Sequence, residues 1–423
     1  MTPPRLITLS ALTLALGLSA CSGSKSGDSG VTTADGTDGT DGTDGTDGTD
    51  GTDGTDGGDT FPTIAGDVAA TYADIVRATY ADSHTAAVAL DGAIDAFLAD
   101  PSETTMATAR QAWLDSREPY LVTEVYRFYD GPIDNPDDGP EGAINAWPLD
   151  ENYIDYVDGD ATSGIINDRS ITLDAETLLG LNEVGSESNV ATGYHAIEFL
   201  LWGQDTSADG PGARPWQDFD VSGASPAPNP DRRALYLGVV SDVLVAHLEG
   251  LNTAWDPAEG YGADWAALAP ETAIERILTG MIVLSGFETG GERLQAALDS
   301  GDQEDEHSCF SDNTHRDMVQ DVVGVRNVWL GSYTALDGST VSGPGIKDLV
   351  MEVDSELASR LDTRIQESVT LAEALQPPFD QEIAPGNDEG RARVQALIDS
   401  LRDQEDQLFE VFTLLGLSVE IPE

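Results

Sequence analysis

The stretch VAATYADIVRATYADSHTAAVALDGAIDAFL, residues Val68–Leu98, decides the fold class. Its apolar side chains fall at Val68, Tyr72, Ile75, Val76, Tyr80, Ala87, Leu90, Ile94 and Phe97. Steps of three and four put them on one face of a long helix. Pro101 and Ser102 end it, and a second helix is expected over Glu103–Arg117, with Pro119 disturbing its end.

Working outward, the same period returns along the chain. Asp231–Leu251 carries Leu235, Leu237, Val240, Leu244 and Leu248. Glu271–Leu298 is helical but holds Gly280, Gly286 and the Gly290-Gly291 pair, which permit close helix approach or a kink. Thr314–Tyr333, Ile346–Leu375 and Gly390–Leu414 complete the helical set. Short helices are expected near Leu149–Tyr156 and Asp174–Leu179. Asp130–Pro148, rich in Pro, Gly, Asp and Asn, reads as a long ordered loop, and such loops inside compact domains are often functional. Strand alternation is scarce. The expectation is an all-α fold of two tandem helical bundles. Gly203–Pro230, dense in Gly, Pro, Ser and Asp, marks the expected boundary between a first bundle at 61–215 and a second at 231–423.

The N-terminus reads as a targeting segment. Arg5 precedes a mostly apolar run from Leu6 to Leu18, and Leu18-Ser19-Ala20-Cys21 follows. The run is short for a membrane span and suits a cleaved signal over 1–21. Its end matches a bacterial lipobox, with Cys21 as the lipidated residue. Residues 22–60 contain a Thr-Asp-Gly triplet repeated from Thr37 through Gly57, with nothing to bury, and are expected to form a disordered acidic tether. Lipidation of Cys21 would leave Cys309 alone, read here as a small buried apolar side chain. The formal net charge of −57 excludes nucleic acid as a partner, because phosphate backbones recruit Lys and Arg.

The chemistry concentrates in two places. Gly193-Tyr194-His195-Ala196-Ile197-Glu198 puts an imidazole and a carboxylate one helical turn apart, on a helix expected to start near Ser188 or Asn189. Such a pair supplies at most two ligands to a metal ion, or forms a buried hydrogen bond. Glu304–Asp317 gathers carboxylates, His307, His315 and Cys309. Further ligands are sought at Glu124, Asp130, Glu306, His307 and His315. Arg117 is expected to line the site and to keep a neighbouring carboxylate ionised. Trp113, Trp147, Trp202 and Trp329 read as core aromatics. The H-E-x-x-H pattern of zinc peptidases is missing, and no general base stands out. Iron and zinc both suit mixed oxygen and imidazole donors, so the metal is left as iron or zinc.

The chain resembles the imelysin family, also called peptidase M75-like or iron-regulated protein A-like. Gly193, His195 and Glu198 match its G-x-H-x-x-E motif. Ala112–Tyr120 with Thr123–Phe128, Asn145–Glu151 and the acidic His307 block are similar to further family segments. The resemblance covers most of the chain after about residue 62. It implies the two-bundle helical architecture and a role in iron acquisition, alongside iron-uptake proteins, in binding a metal ion or metal-bearing ligand. It leaves a zinc-dependent metallopeptidase, and a peptide- or protein-binding module without metal, as alternatives. Ser22 after Cys21 resembles the lipoproteins of the outer membrane, with the folded part facing the periplasm or the cell surface.

Overall fold

A computed structural model describes residues 61–207 and 210–417. The signal-like segment, Cys21 and the 22–60 tether lie outside the described residues. The Val68–Leu98 pattern forms the helix Ala65–Ala99, and its apolar positions are all buried. Ser102 and Thr105 make a reciprocal capping box that starts the next helix, Glu103–Leu121. That helix runs through Pro119 to Leu121 instead of ending at Arg117. Pro119 sits in its last turn, where its carbonyl accepts from the Ser83 hydroxyl of the neighbouring helix at 3.0 Å.

Two bundles follow. In the first, Ala65–Ala99 packs along Glu103–Leu121 and Pro230–Ala254, with Gly193–Trp202 held between them. Tyr236, Leu237, Val240, Leu244 and Leu248 of Pro230–Ala254 enter the same core as Ile75, Trp113 and Phe199. That helix is long and apolar enough by composition to cross a membrane; here those residues face the protein core. The second bundle has its own apolar cluster, built from Leu294, Leu298, Met318, Val322, Val369, Phe379, Val394, Leu397 and Leu401. The cores therefore do not divide at Gly203–Pro230. The Pro230–Ala254 helix beyond that stretch belongs to the first bundle, because its apolar face fits Ala65–Ala99. The described residues cluster as one compact unit.

Gly280 and Gly286 permit the close approach expected of them. A Cβ on Gly280 would stand 2.3 Å from the Val125 carbonyl oxygen, and one on Gly286 would strike the Glu405 carboxylate. The rod over this region starts as the α-helix Pro270–Ile282, widens to a π-helix over Val283–Gln295 and closes as Ala296–Ser300. π-helical turns are frequent at functional sites, and this one carries Glu288, Thr289 and Arg293. The expected helix Ile346–Leu375 breaks at Asp354, whose carboxylate caps Ser355–Ala372 by accepting from the N–H groups of Glu356 and Leu357 at 2.9 Å each. Among the described residues the one sheet is a hairpin, Ser332–Thr334 paired antiparallel with Thr340–Ser342.

Candidate functional site: a buried carboxylate–histidine centre

The Gly193–Trp202 helix is buried along its whole length. It begins at Gly193, with Thr192 at its N-cap, and not near Ser188 or Asn189. Those two shape the turn before it: Asn189 Nδ2 donates to the Val184 carbonyl and the Ser188 carbonyl accepts from Asp150 N. Gly193 has φ +87°, and a Cβ there would lie 2.5 Å from the Ile144 carbonyl oxygen. The first position of the G-x-H-x-x-E motif is glycine for this backbone reason. Gly193→Ala should lower unfolding free energy by about 1–2 kcal/mol from the left-handed backbone alone, with the Ile144 clash in addition. Urea denaturation checks it; an unchanged midpoint would contradict the argument.

His195 and Glu198 lie fully buried, with His195 Nδ1 and Glu198 Oε2 sharing a hydrogen bond across 2.9 Å. The other oxygen, Glu198 Oε1, accepts from Ser311 N at 3.0 Å and from the Ser311 hydroxyl at 2.6 Å. Both oxygens are therefore occupied. Burial pushes the Glu198 carboxyl up to about 8, against the Ser311 hydrogen bonds and Arg117. Burial, then Arg117 and His307, holds the His195 imidazole neutral, well below its usual range. Its Nε2 is buried with no hydrogen-bond partner. The Trp147 and His307 rings each stand 4.9 Å from the His195 ring, centroid to centroid.

His307 repeats the arrangement from the other side of the chain. Its Nδ1–H donates to Asp317 Oδ2 at 2.8 Å. The same oxygen accepts from Arg117 Nη2 at 3.0 Å and the Ser308 hydroxyl at 2.5 Å, while Oδ1 accepts from Asn313 Nδ2 at 3.1 Å. Asp317 is held far below the usual carboxylate range; burial opposes this, and Arg117 with His307 outweighs it. Burial and Arg293 lower His307 to about 4, so it too is neutral. Arg117 is completely buried, and its second arm donates to Asn145 Oδ1 at 2.5 Å. The pattern is two imidazoles side by side, each oriented by its own carboxylate through Nδ1. Outer-shell carboxylates orient metal-ligating histidines in this way.

A cleft of about 450 Å³ leads to His307 and is lined by Asn145, Trp147, Arg127, Glu141, Glu288 and Arg293. Below it lies the Glu124 network. Glu124 Oε2 accepts from Arg127 at 2.8 Å and from Arg293 at 2.5 Å, and Arg293 reaches Asp321 at 2.9 Å. Both arginines hold Glu124 below its ordinary range although burial opposes them.

The sequence candidates separate accordingly. His195, Glu198, His307 and Arg117 meet in one centre. Glu124 stands beside it in an ion-pair network. Asp130 does not join: it is exposed, with φ +55°, and acts on Tyr261. His315 turns away, with Nδ1 3.2 Å from the carbonyl of Asp312. Glu306 faces Asp380, Asp312 and Asp205 instead of His195. Cys309 is buried, as read from the sequence, and burial pushes its thiol well up. Asp317, Asn145, Ser311 and Arg293 were not singled out, and Trp147 was read as core although its half-buried ring covers His195. Asp317 closes the quoted acidic block one turn from Asn313, which is the signal that points to it.

Among the described residues no group of three or more His, Cys, Asp or Glu side chains is arranged to hold a metal ion as it stands. The unpartnered His195 Nε2, with His307 beside it, is the part of the centre that fits one.

The fold and site define a class: two helical bundles around a buried carboxylate–histidine centre under a cleft. The chain belongs to the imelysin (peptidase M75) family, whose model matches residues 76–408. It is 22% identical over 312 residues to iron-regulated protein A of Synechococcus elongatus, covering 70% of this chain and 72% of that one. In fold it is similar to an iron-regulated protein A precursor from Parabacteroides distasonis, with TM-score 0.66 and 21% identity over 85% of this chain and 97% of that one. An imelysin-like protein from Psychrobacter arcticum matches with TM-score 0.59 and 14% identity over 86% of this chain and 100% of that one.

Proposed function

We propose that the chain is a tethered binding protein of iron acquisition that takes a transition-metal ion, or a ligand bearing one, at the His195–His307 centre. The observation that carries this reading is the buried, unpartnered Nε2 of His195. With Glu198 ionised and the shared proton on Nδ1, that nitrogen offers a lone pair, which is the form a metal selects. His195 and His307 would hold the ion, Glu198 and Asp317 would orient them, and the cleft would supply the remaining positions from water or the ligand. The relatives described as iron-regulated support iron as the first ion to test; zinc suits the same donors. When bound, the ion supplies affinity for its own coordinating ligand.

A peptidase reading needs a base with access to water. Both oxygens of Glu198 are committed to His195 and Ser311, which favours binding over cleavage. Absence of chelator-sensitive cleavage of an unstructured protein supports the binding reading; cleavage lost in Glu198→Gln and restored to the apo wild type by zinc would replace it.

Location follows from the Leu18–Cys21 pattern, which supports anchoring in the outer membrane through lipid on Cys21, with the folded part on the periplasmic or outer face. Cys21→Ser should move the chain from the membrane fraction to the soluble fraction, or leave it unprocessed. A substituted chain that still sediments with membranes after signal cleavage would contradict this.

A further inference from the structure

A groove of about 420 Å³ is lined by the Thr314–Leu330 helix and the hairpin strand Ser332–Thr334, and it shares no lining residue with the cleft above His307. Apolar side chains stand open along it: Leu330 is 41% exposed and Leu336 60%, with Val323 half-buried in the lining. The hairpin is pinned in place, because Asp82 Oδ2 accepts from the Tyr333 hydroxyl at 2.7 Å and from Leu336 N at 2.8 Å. Its register leaves an open edge. Ala335 N donates to the Ser339 carbonyl, and Gly343 N donates to the Gly331 carbonyl. Bonded and non-bonded pairs alternate in an antiparallel ladder, so between these two it is Tyr333 that exchanges bonds with Val341. The N–H and C=O groups of Ser332 and Thr334 therefore turn away from the partner strand, and among the described residues nothing bonds them.

A second observation concerns charge. Arg326 lines this groove, half-buried, and makes neither a hydrogen bond nor an ion pair. Every other described arginine that is not exposed has a partner. Glu118, the one carboxylate of the lining, is already taken by Arg316 at 2.8 and 2.6 Å. The groove thus keeps a spare positive charge in a chain of net charge −57. Asn327, beside Arg326 in sequence, is 8% exposed and its side-chain amide bonds to nothing in the protein, yet that amide reaches solvent where it lines the groove. Buried polar groups are otherwise satisfied.

We propose that this groove docks an extended segment of a partner polypeptide. The segment adds a strand to the open edge at Ser332 and Thr334, lays apolar side chains on Val323, Leu330 and Leu336, and presents a carboxylate to Arg326. Strand addition takes its affinity from main-chain hydrogen bonds and its specificity from side-chain contacts at alternate positions. A guanidinium with no internal partner selects a carboxylate, which it can bind through two parallel bonds. A second copy of this chain is a poorer occupant, because two chains so strongly negative repel. The site is separate from His195 and does not rest on the proposed function.

The test is selection of a displayed random peptide library on the full chain, followed by titration of the fluorescein-labelled consensus peptide, read by polarisation. Enriched sequences should carry a fixed Asp or Glu with apolar residues at alternate positions. Arg326→Gln and Leu336→Asp should each weaken binding at least about tenfold. Arg402→Gln, at an exposed arginine outside the groove, should leave it unchanged. N-methylation of alternate peptide amides should abolish binding, because it removes the ladder donors. Arg326 is unbonded and Leu336 is exposed, so both variants are expected to fold. No enrichment, enrichment without an acidic position, or equal affinity in wild type and Arg326→Gln would overturn the proposal. So would a wild-type dimer in sedimentation that Leu336→Asp dissolves, since a second copy would then fill the groove.

Discussion

Asp317→Ala should destabilise the folded part by about 3–5 kcal/mol. Asp317 is fully buried and receives hydrogen bonds from Arg117, His307, Ser308 and Asn313. Its removal leaves the Arg117 guanidinium, itself without solvent contact, bonded only to Asn145, set over aromatic rings and left with the smaller pull of Glu198. An uncompensated buried charge is far more costly than the net worth of the pair. It also frees the His307 ring, so metal binding should weaken with stability. Urea denaturation with a matched m-value checks the first part. A loss below about 1 kcal/mol would mean that Arg117 finds another counter-charge or reaches water. In Arg117→Met with Asp317→Leu the cost should be smaller than in Asp317→Ala, because no lone charge is stranded.

A pH dependence follows from the buried carboxyls of Asp205 and Asp312. Unfolded, Asp205 and Asp312 titrate near 4. Folded, they keep their protons to about 6 and about 7. Between these limits the native state binds more protons than the unfolded state, so stability must fall as pH rises. A loss on the order of 3 kcal/mol is expected between about pH 5 and about pH 8, with a shallower slope in Asp312→Asn. A flat or rising profile would contradict the burial argument.

The fold was legible wherever local periodicity carried it. Val68–Leu98 reads as a helix because one face meets a core over its full length. The break at Asp354 and the persistence of the helix through Pro119 are decided by a capping carboxylate and by a neighbouring helix. Neither is a matter of period. The bundle division is a tertiary fact: Gly203–Pro230 has the composition of a linker, yet the helix beyond it finds its apolar partner in Ala65–Ala99. In the site, His195 and Glu198 were legible because one helical turn joins them. Arg117 and Asp317 are separated by 200 positions, and no local pattern pairs them. Asp130 and His315 were chosen by residue type, which does not say where a side chain points. Asp130 is turned to solvent and His315 to its own backbone.

His195→Ala should abolish metal binding and leave the fold in place. The imidazole is the one member of the centre with a buried ring nitrogen that nothing else engages. Glu198 acts through it, so Glu198→Gln should weaken binding by about 10–100-fold without abolishing it, as the loss of an orienting partner does. His307→Ala should fall between them, since its neighbour His195 keeps its own carboxylate. Helix content by circular dichroism should be unchanged in all three, because the helix starts at Gly193 and is held by Tyr194, Ile197, Phe199 and Leu201 in the core. The most direct measurement is calorimetric titration of metal-free protein with ferrous ion under anaerobic conditions and with zinc. The account predicts saturable binding of one ion per chain in the wild type and none in His195→Ala. Equal binding by both proteins, or no binding by the wild type together with unfolding of His195→Ala, would contradict it and leave His195–Glu198 as a hydrogen bond of the core.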